Sequence, residues 1–127
     1  MTNQIFDKLP ICAILYETIF CAHGGIPRSS THFDQIIALN RVIEEPEDES
    51  ATAWEIFCSD PCAMQQFIEV CEMRQLDPSK QDGFVFNIKR CTAFLFTDEA
   101  VNRFLRTFTH SFIHIQTFSP TLFVPMK

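Results

Sequence analysis

The sequence predicts a mixed α/β chain in which short apolar strands alternate with short amphipathic helices. Two apolar runs near the amino end are parted by a polar tripeptide, as buried strands joined by a tight turn would be. A charged, striped segment after Thr97 has the spacing of a helix. Apolar residues make up 46% of the 127 residues and charged residues 20%, which suits one globular domain and not a disordered tail.

Ile11-Cys12-Ala13-Ile14-Leu15 and Ile19-Phe20-Cys21-Ala22 are the two strand candidates, with Tyr16-Glu17-Thr18 as the turn. The second run ends in His23-Gly24-Gly25, followed by Pro27. Phe33, Ile36, Ile37 and Leu39-Asn40 fall on one helical face, so a short helix is expected from about Thr31, capped by Thr31 or Ser30. Glu44, Glu45, Glu47, Asp48 and Glu49, broken by Pro46, read as a solvated acidic loop. Thr52 to Cys58 is a short apolar stretch stopped at Ser59-Asp60-Pro61, because the residue before proline avoids helical geometry. Ala63, Phe67, Val70 and Cys71 recur at helical spacing up to Asp77-Pro78. Val85 to Phe96 reads as strand, interrupted near Lys89-Arg90-Cys91. Thr97 can cap the next helix, where Asp98 and Glu99 suit the positive end of its dipole. Its apolar stripe is Ala100, Val101, Phe104, Leu105 and Phe108. Residues 114–127, with two prolines and no consistent period, are expected to be an unstructured tail.

The net charge is −6, which argues against general nucleic-acid binding, where a basic patch supplies most of the affinity. No segment approaches the ~20 apolar residues of a membrane span. Met1-Thr2-Asn3-Gln4 lacks the basic start and apolar run of a secretory signal. The chain is therefore expected inside the cell, in cytoplasm or nucleus, with its six cysteines reduced. Cys58 and Cys62 are four apart, but Cys71 and Cys91 are single, so a zinc site lacks its second pair. His32 and His110 sit in polar contexts and are expected to be exposed.

A histidine at the end of an apolar strand, followed by two glycines that allow a sharp turn, suits a metal ligand in a cleft. By itself that signal is weak. The segment Ile19-Phe20-Cys21-Ala22-His23-Gly24-Gly25 resembles the strand and turn "h-x-C-x-H-G-G-h" of the phosphoprotein phosphatases, the group of type 1, type 2A and calcineurin enzymes. The order continues downstream. Asp34-Gln35-Ile36 through Leu39-Asn40-Arg41 is similar to "L-D-x-I-x-x-L-x-R", and Glu45-Pro46 to an "I-P" turn. Trp54 to Pro61 resembles "L-L-W-S-D-P", Asn87 to Phe96 resembles "N-x-R-G-x-x-x-x-F", and Ala100 to Leu105 resembles the helix that follows.

The resemblance covers about residues 5–113 and implies part of an α/β/β/α calcineurin-like metallophosphoesterase sandwich. Intact members use two divalent metal ions (manganese, iron or zinc) to activate the water that attacks phosphoserine or phosphothreonine. By the same resemblance His23 is a metal ligand, Arg90 grips the substrate phosphate, and Asp60 orders the site from behind. Phosphoprotein substrates and regulatory subunits are the partners it implies.

The family's earlier motifs "G-D-x-H-G", "G-D-x-V-D-R-G" and "G-N-H-E" have no counterpart in these residues. They carry the aspartates, the first metal histidine, the asparagine, the second phosphate arginine and the catalytic histidine. The later "I-R-A-H-E" is replaced by Ile113-His114-Ile115-Gln116-Thr117, where Gln116 falls on the expected histidine and His114 is the remaining substitute. Cys58 stands for a tryptophan and Cys91 for a glycine. His23 is one of roughly six ligands, and a metal site needs three or more, so stable metal binding and catalysis by these residues alone are not expected. An inactive fragment or pseudogene-like product of a phosphatase gene, its frame shifted near Ile113, is the expected identity; a correctly read part of a longer phosphatase and a non-catalytic binding module are the alternatives. Missing sheet partners would leave raw strand edges and many exposed phenylalanines among the fourteen.

Overall fold

The computed structural model describes residues 10–16, 19–30, 32–40, 42–111 and 124–125, with side chains described as far as Thr107. Strands β1 (Cys12–Leu15) and β2 (Ile19–Ala22) form the expected antiparallel hairpin, with Cys12 opposite Ala22 and Leu15 opposite Ile19. Helix α1 (Phe33–Ile37) follows, then α2 (Pro46–Glu49) and α3 (Ala51–Cys58). Strand β3 (Asp60–Pro61) leads into α4 (Met64–Met73) and a single 3-10 turn at Pro78–Lys80. Strands β4 (Phe84–Phe86) and β5 (Phe94–Phe96) precede the long helix α5 (Asp98–Ser111), and β6 (Val124–Pro125) comes last.

The strands make two three-stranded sheets, ordered β1-β2-β6 and β3-β5-β4. The β4–β5 hairpin is antiparallel, while β3 and β6 each add in parallel. Strand alternation gives the second sheet two buried faces. Phe84 and Phe96 join Phe20, Ala22, Ile26, Phe33, Ile36, Ile56, Ala100 and Phe104 in the main core. Val85 and Leu95 point the other way, onto Phe67, Val70 and Cys71 of α4. One layer of strand thus separates two apolar clusters, as in a sandwich.

Several expectations need correction. Helix α1 is capped at His32, not at Thr31 or Ser30: the Gln35 side chain accepts from the His32 amide at 3.2 Å, while Ser30 spends its hydroxyl on Thr52 at 2.9 Å. Thr31 itself lies outside the described residues. Helix α1 also stops at Ile37, which is 63% exposed and so is not on the buried face. The acidic segment is solvated as expected, yet it forms the helical turn α2 and not a loop. Pro46 opens it with its φ already preset, and Glu49 Oε1 accepts from the amides of Glu44 and Glu45. Thr97 precedes α5, but its buried hydroxyl has no hydrogen-bond partner among the described residues. It lies against Gly83, where even a Cβ would come within 2.7 Å of Thr97 Oγ1. Phe108, His110 and most of 114–127 fall outside the described side chains. At Val124–Pro125 the tail is paired in parallel with Cys21–Ala22 and is not unstructured there.

The phenylalanines are better covered than expected. Of the nine whose side chains are described, Phe20, Phe33, Phe67, Phe84, Phe96 and Phe104 are buried, and Phe86 alone is exposed. Arg74 covers part of Phe86, its guanidinium carbon 5.6 Å from the ring centre. The end of α4 explains why the helix stops at Met73 and not at Asp77. Gln75 takes a φ of +55°, so its amide bonds to the Glu72 carbonyl at 3.0 Å and that of Leu76 bonds to the Cys71 carbonyl at 2.8 Å. That pair of bonds satisfies the last turn, and Leu76 then folds back onto the second cluster.

Candidate functional site

The site begins at the end of β2. Gly24 and Gly25 both donate their amides to the Ile56 carbonyl, at 2.9 and 3.0 Å, which fastens the strand end to the end of α3. A Cβ on Gly24 would lie 2.5 Å from the Phe57 carbonyl oxygen and 2.8 Å from that of Ser59, so only glycine permits the approach. The contact places His23 and Asp60 one residue to either side of a direct backbone meeting. His23 is exposed.

Helix α3 is started by Ser50, whose hydroxyl accepts from the Ala53 amide at 3.2 Å. Ser59 ends it in extended geometry, which turns Asp60 into β3 beside Leu95. There Asp60 meets the β4–β5 loop. Arg90 Nη1 donates to both Asp60 carboxylate oxygens, at 3.1 and 3.0 Å. Asn87, 4% exposed, donates from Nδ2 to Asp60 Oδ2 at 2.9 Å and accepts the Arg90 amide on Oδ1 at 3.3 Å. Its own amide closes the loop on the Ala93 carbonyl at 3.1 Å. Trp54 adds a strut, its indole N–H reaching Thr92 Oγ1 at 2.8 Å.

The cluster's chemistry follows from Arg90. One nitrogen is taken by Asp60, while Nη2 and Nε have no partner among the described residues and the side chain is half exposed. A guanidinium pinned on one side and open on the other is suited to an oxyanion, because its remaining donors are already aimed. The exposed Asp60–Arg90 pair adds little to stability; its effect is orientation.

Of the three residues singled out in the sequence, the structure joins Asp60 and Arg90 directly, while His23 is linked to them only through the backbone, by the approach of Gly24 to Ser59. Asn87 enters the sequence pattern only as the first residue of a motif, yet it is the buried member that binds both others. An asparagine opening a loop between two apolar strands was the available signal. Among the described residues no three His, Cys, Asp or Glu side chains stand together as a metal-holding group. Those residues therefore do not fit a two-ion centre. Burial raises the Cys58 and Cys62 thiols, Cys62 to about 11 with help from Asp98, and neither belongs to a group of three possible ligands among the described residues.

The loop carries strain where the resemblance expects glycine. Cys91 has a φ of +54° and Ala93 of +51°, in the left-handed region that costs a side-chain-bearing residue roughly 1–2 kcal/mol. Cys91→Gly removes that cost, less the added freedom of glycine in the unfolded chain and the weak thiol bond to the Ile88 carbonyl at 3.3 Å. A gain of about 0.5–1 kcal/mol is expected, seen as a rise in Tm of roughly 2–5 °C. A lower Tm would mean that the thiol holds the loop.

Two three-stranded sheets with helices packed on both faces of the second give the mixed α/β architecture of part of a calcineurin-like metallophosphoesterase fold. The family model for calcineurin-like phosphoesterases matches residues 1–113, and the chain belongs to that family as part of a phosphoprotein phosphatase catalytic domain. It is similar to the PP2A-like serine/threonine-protein phosphatase PPG1 of Saccharomyces cerevisiae, 32% identical over 105 residues, which cover 82% of this chain and 26% of that protein. It is also similar to a protein phosphatase 2A catalytic subunit of Dictyostelium discoideum, 40% identical over 59 residues, covering 46% of this chain and 18% of that one. The chain thus spans about a quarter or less of the length of these relatives. No helix among the described residues is long and apolar enough to cross a membrane.

Proposed function

We propose that these residues form the substrate-phosphate side of an intracellular serine/threonine protein phosphatase site and do not hydrolyse phosphate esters by themselves. Arg90 is the phosphate contact, Asp60 and Asn87 hold it, and His23 is one ligand of a two-ion centre whose other ligands lie in motifs these residues lack. The observation that carries the reading is the Asp60–Asn87–Arg90 cluster, with a pinned guanidinium and two of its nitrogens open. The ions would supply the activated water, and phosphoproteins and regulatory subunits are the partners in an assembled enzyme. A non-catalytic binding module is the second reading, favoured by a cluster whose mutual hydrogen bonds are made wholly by Asp60, Asn87 and Arg90.

Hydrolysis of an aryl phosphate by the purified chain with added manganese, beside His23→Ala, tests the reading. Equal rates at background are expected. Activity that disappears in His23→Ala would show that these residues rebuild a metal site, and the inactive reading would fall. Binding of a phosphatase regulatory subunit by the folded, metal-free chain would favour the module.

A further inference from the structure

A second cavity, of about 530 Å³, opens between the Pro27–Ser30 turn, the start of β4 and helix α5. It shares no residue with the Asp60–Asn87–Arg90 cluster. Its floor is apolar, made by Phe84, Ala100 and Phe104, and two arginines stand on its walls. The size is that of a pocket for a small organic molecule or for one or two side chains.

The two arginines are not equivalent. Arg103 Nη1 donates to the Asp82 carbonyl at 2.8 Å and lies 3.7 Å from its carboxylate, and Nη2 pairs with Glu99 at 3.2 Å. Its charge is therefore spent locally. Arg28 has no carboxylate partner among the described residues, in a chain whose acidic side chains outnumber its basic ones, 16 to 10. Its guanidinium carbon is held 5.1 Å from the Phe94 ring centre, a stack that fixes the cation while leaving the edge donors free. Phe94 packs in turn edge-on against Phe84 of the floor, centroids 6.3 Å apart. A fixed, unpaired cation thus borders an apolar floor. Asp82 lines the same cavity and is paired there with Arg103.

We propose that this cavity binds a monocarboxylate with an aromatic or branched apolar body, the carboxylate on Arg28 and the body on Phe84 and Phe104. The ligand can be a free acid or the carboxyl-terminal residue of a peptide. One negative charge fits better than two because Arg28 is a single cation with no carboxylate partner among the described residues, whereas Arg103 is already paired with Asp82 and Glu99.

Titration of the purified chain with 3-phenylpropanoate, followed by ligand-observed NMR, tests this. Parallel arms use phenyl phosphate, phenethylamine, and the dipeptide N-acetyl-Gly-Phe as its acid and as its amide. The acids are expected to bind in the millimolar range or tighter, the phosphate more weakly, and the amine and amide not at all. Arg28→Met keeps an apolar stem over Phe94 and should weaken 3-phenylpropanoate by about tenfold or more, as loss of a charge-assisted bond does. Arg28→Lys should retain most of the binding. Arg28 is exposed and makes no hydrogen bond among the described residues, so both variants should melt like the parent. Binding of 3-phenylpropanoate without the peptide acid would support the site for free acids only. Equal affinity in Arg28→Met, equal binding of the amine, or no binding of either acid would overturn the proposal.

Discussion

Gly25→Ala is expected to destabilise the chain by about 3 kcal/mol, the upper end for forcing extra volume into a packed core. A Cβ there would overlap the Phe96 ring, which is 1% exposed and hemmed in by the main cluster. The backbone cannot retreat easily, because the Gly25 amide is tied to the Ile56 carbonyl at 3.0 Å. Urea unfolding followed by far-ultraviolet circular dichroism reads the change as a lower midpoint at unchanged slope. Phe96→Leu should return part of the loss when combined with Gly25→Ala, since the clash is with a side chain. Gly24→Ala should find no such rescue, because its neighbours are the Phe57 and Ser59 carbonyl oxygens. A Gly25→Ala midpoint equal to the parent's would mean that β2 does not end against β5 as described.

Truncating Phe20 to alanine is expected to cost about 3–5 kcal/mol, the range for deleting a buried aromatic ring. Phe20 is 1% exposed and lies at the meeting of three elements. Its ring packs edge-on against Phe33 of α1, with centroids 6.3 Å apart, and against Phe104 of α5, at 5.0 Å. Phe20 is also three residues before His23, so the cavity left behind loosens the strand that presents the histidine. The midpoint in urea gives the cost, and Phe20→Leu should recover about half of it or more. A loss below about 1 kcal/mol for Phe20→Ala would show that β2 is not anchored through this ring.

Much of the fold was legible in order. The hairpin at Cys12–Ala22 and the stop at Ser59-Asp60-Pro61 announced themselves through apolar runs and a proline, whereas Val85 to Phe96, read as one interrupted strand, folds as two three-residue strands paired antiparallel. The ends of helices were less legible. Whether Ser30, Thr31 or His32 caps α1 depends on what else each side chain can bond, and Ser30 is drawn away by Thr52, 22 residues later. Thr97 has the chemistry of a cap, but Gly83 presses its hydroxyl into a place with no donor. The cover over the phenylalanines was likewise invisible in composition, because burial depends on how two sheets and α5 close over one another.

Sequence by itself determined the chemistry and its order along the chain: a strand-end histidine before two glycines, an aspartate before proline, and an arginine in a strand loop. Short-range rules suffice for that, since each feature is a run of neighbours. Tertiary structure alone decided which of them meet. Asp60 and Arg90 are 30 residues apart and touch because β3 adds in parallel beside β5. Asn87 became the buried link, and Arg28 was left on the Phe94 ring with no counter-charge among the described residues, through packing between distant elements. Such long-range contacts follow from the closure of a core, whose energy is shared among many residues and written in no single stretch of them.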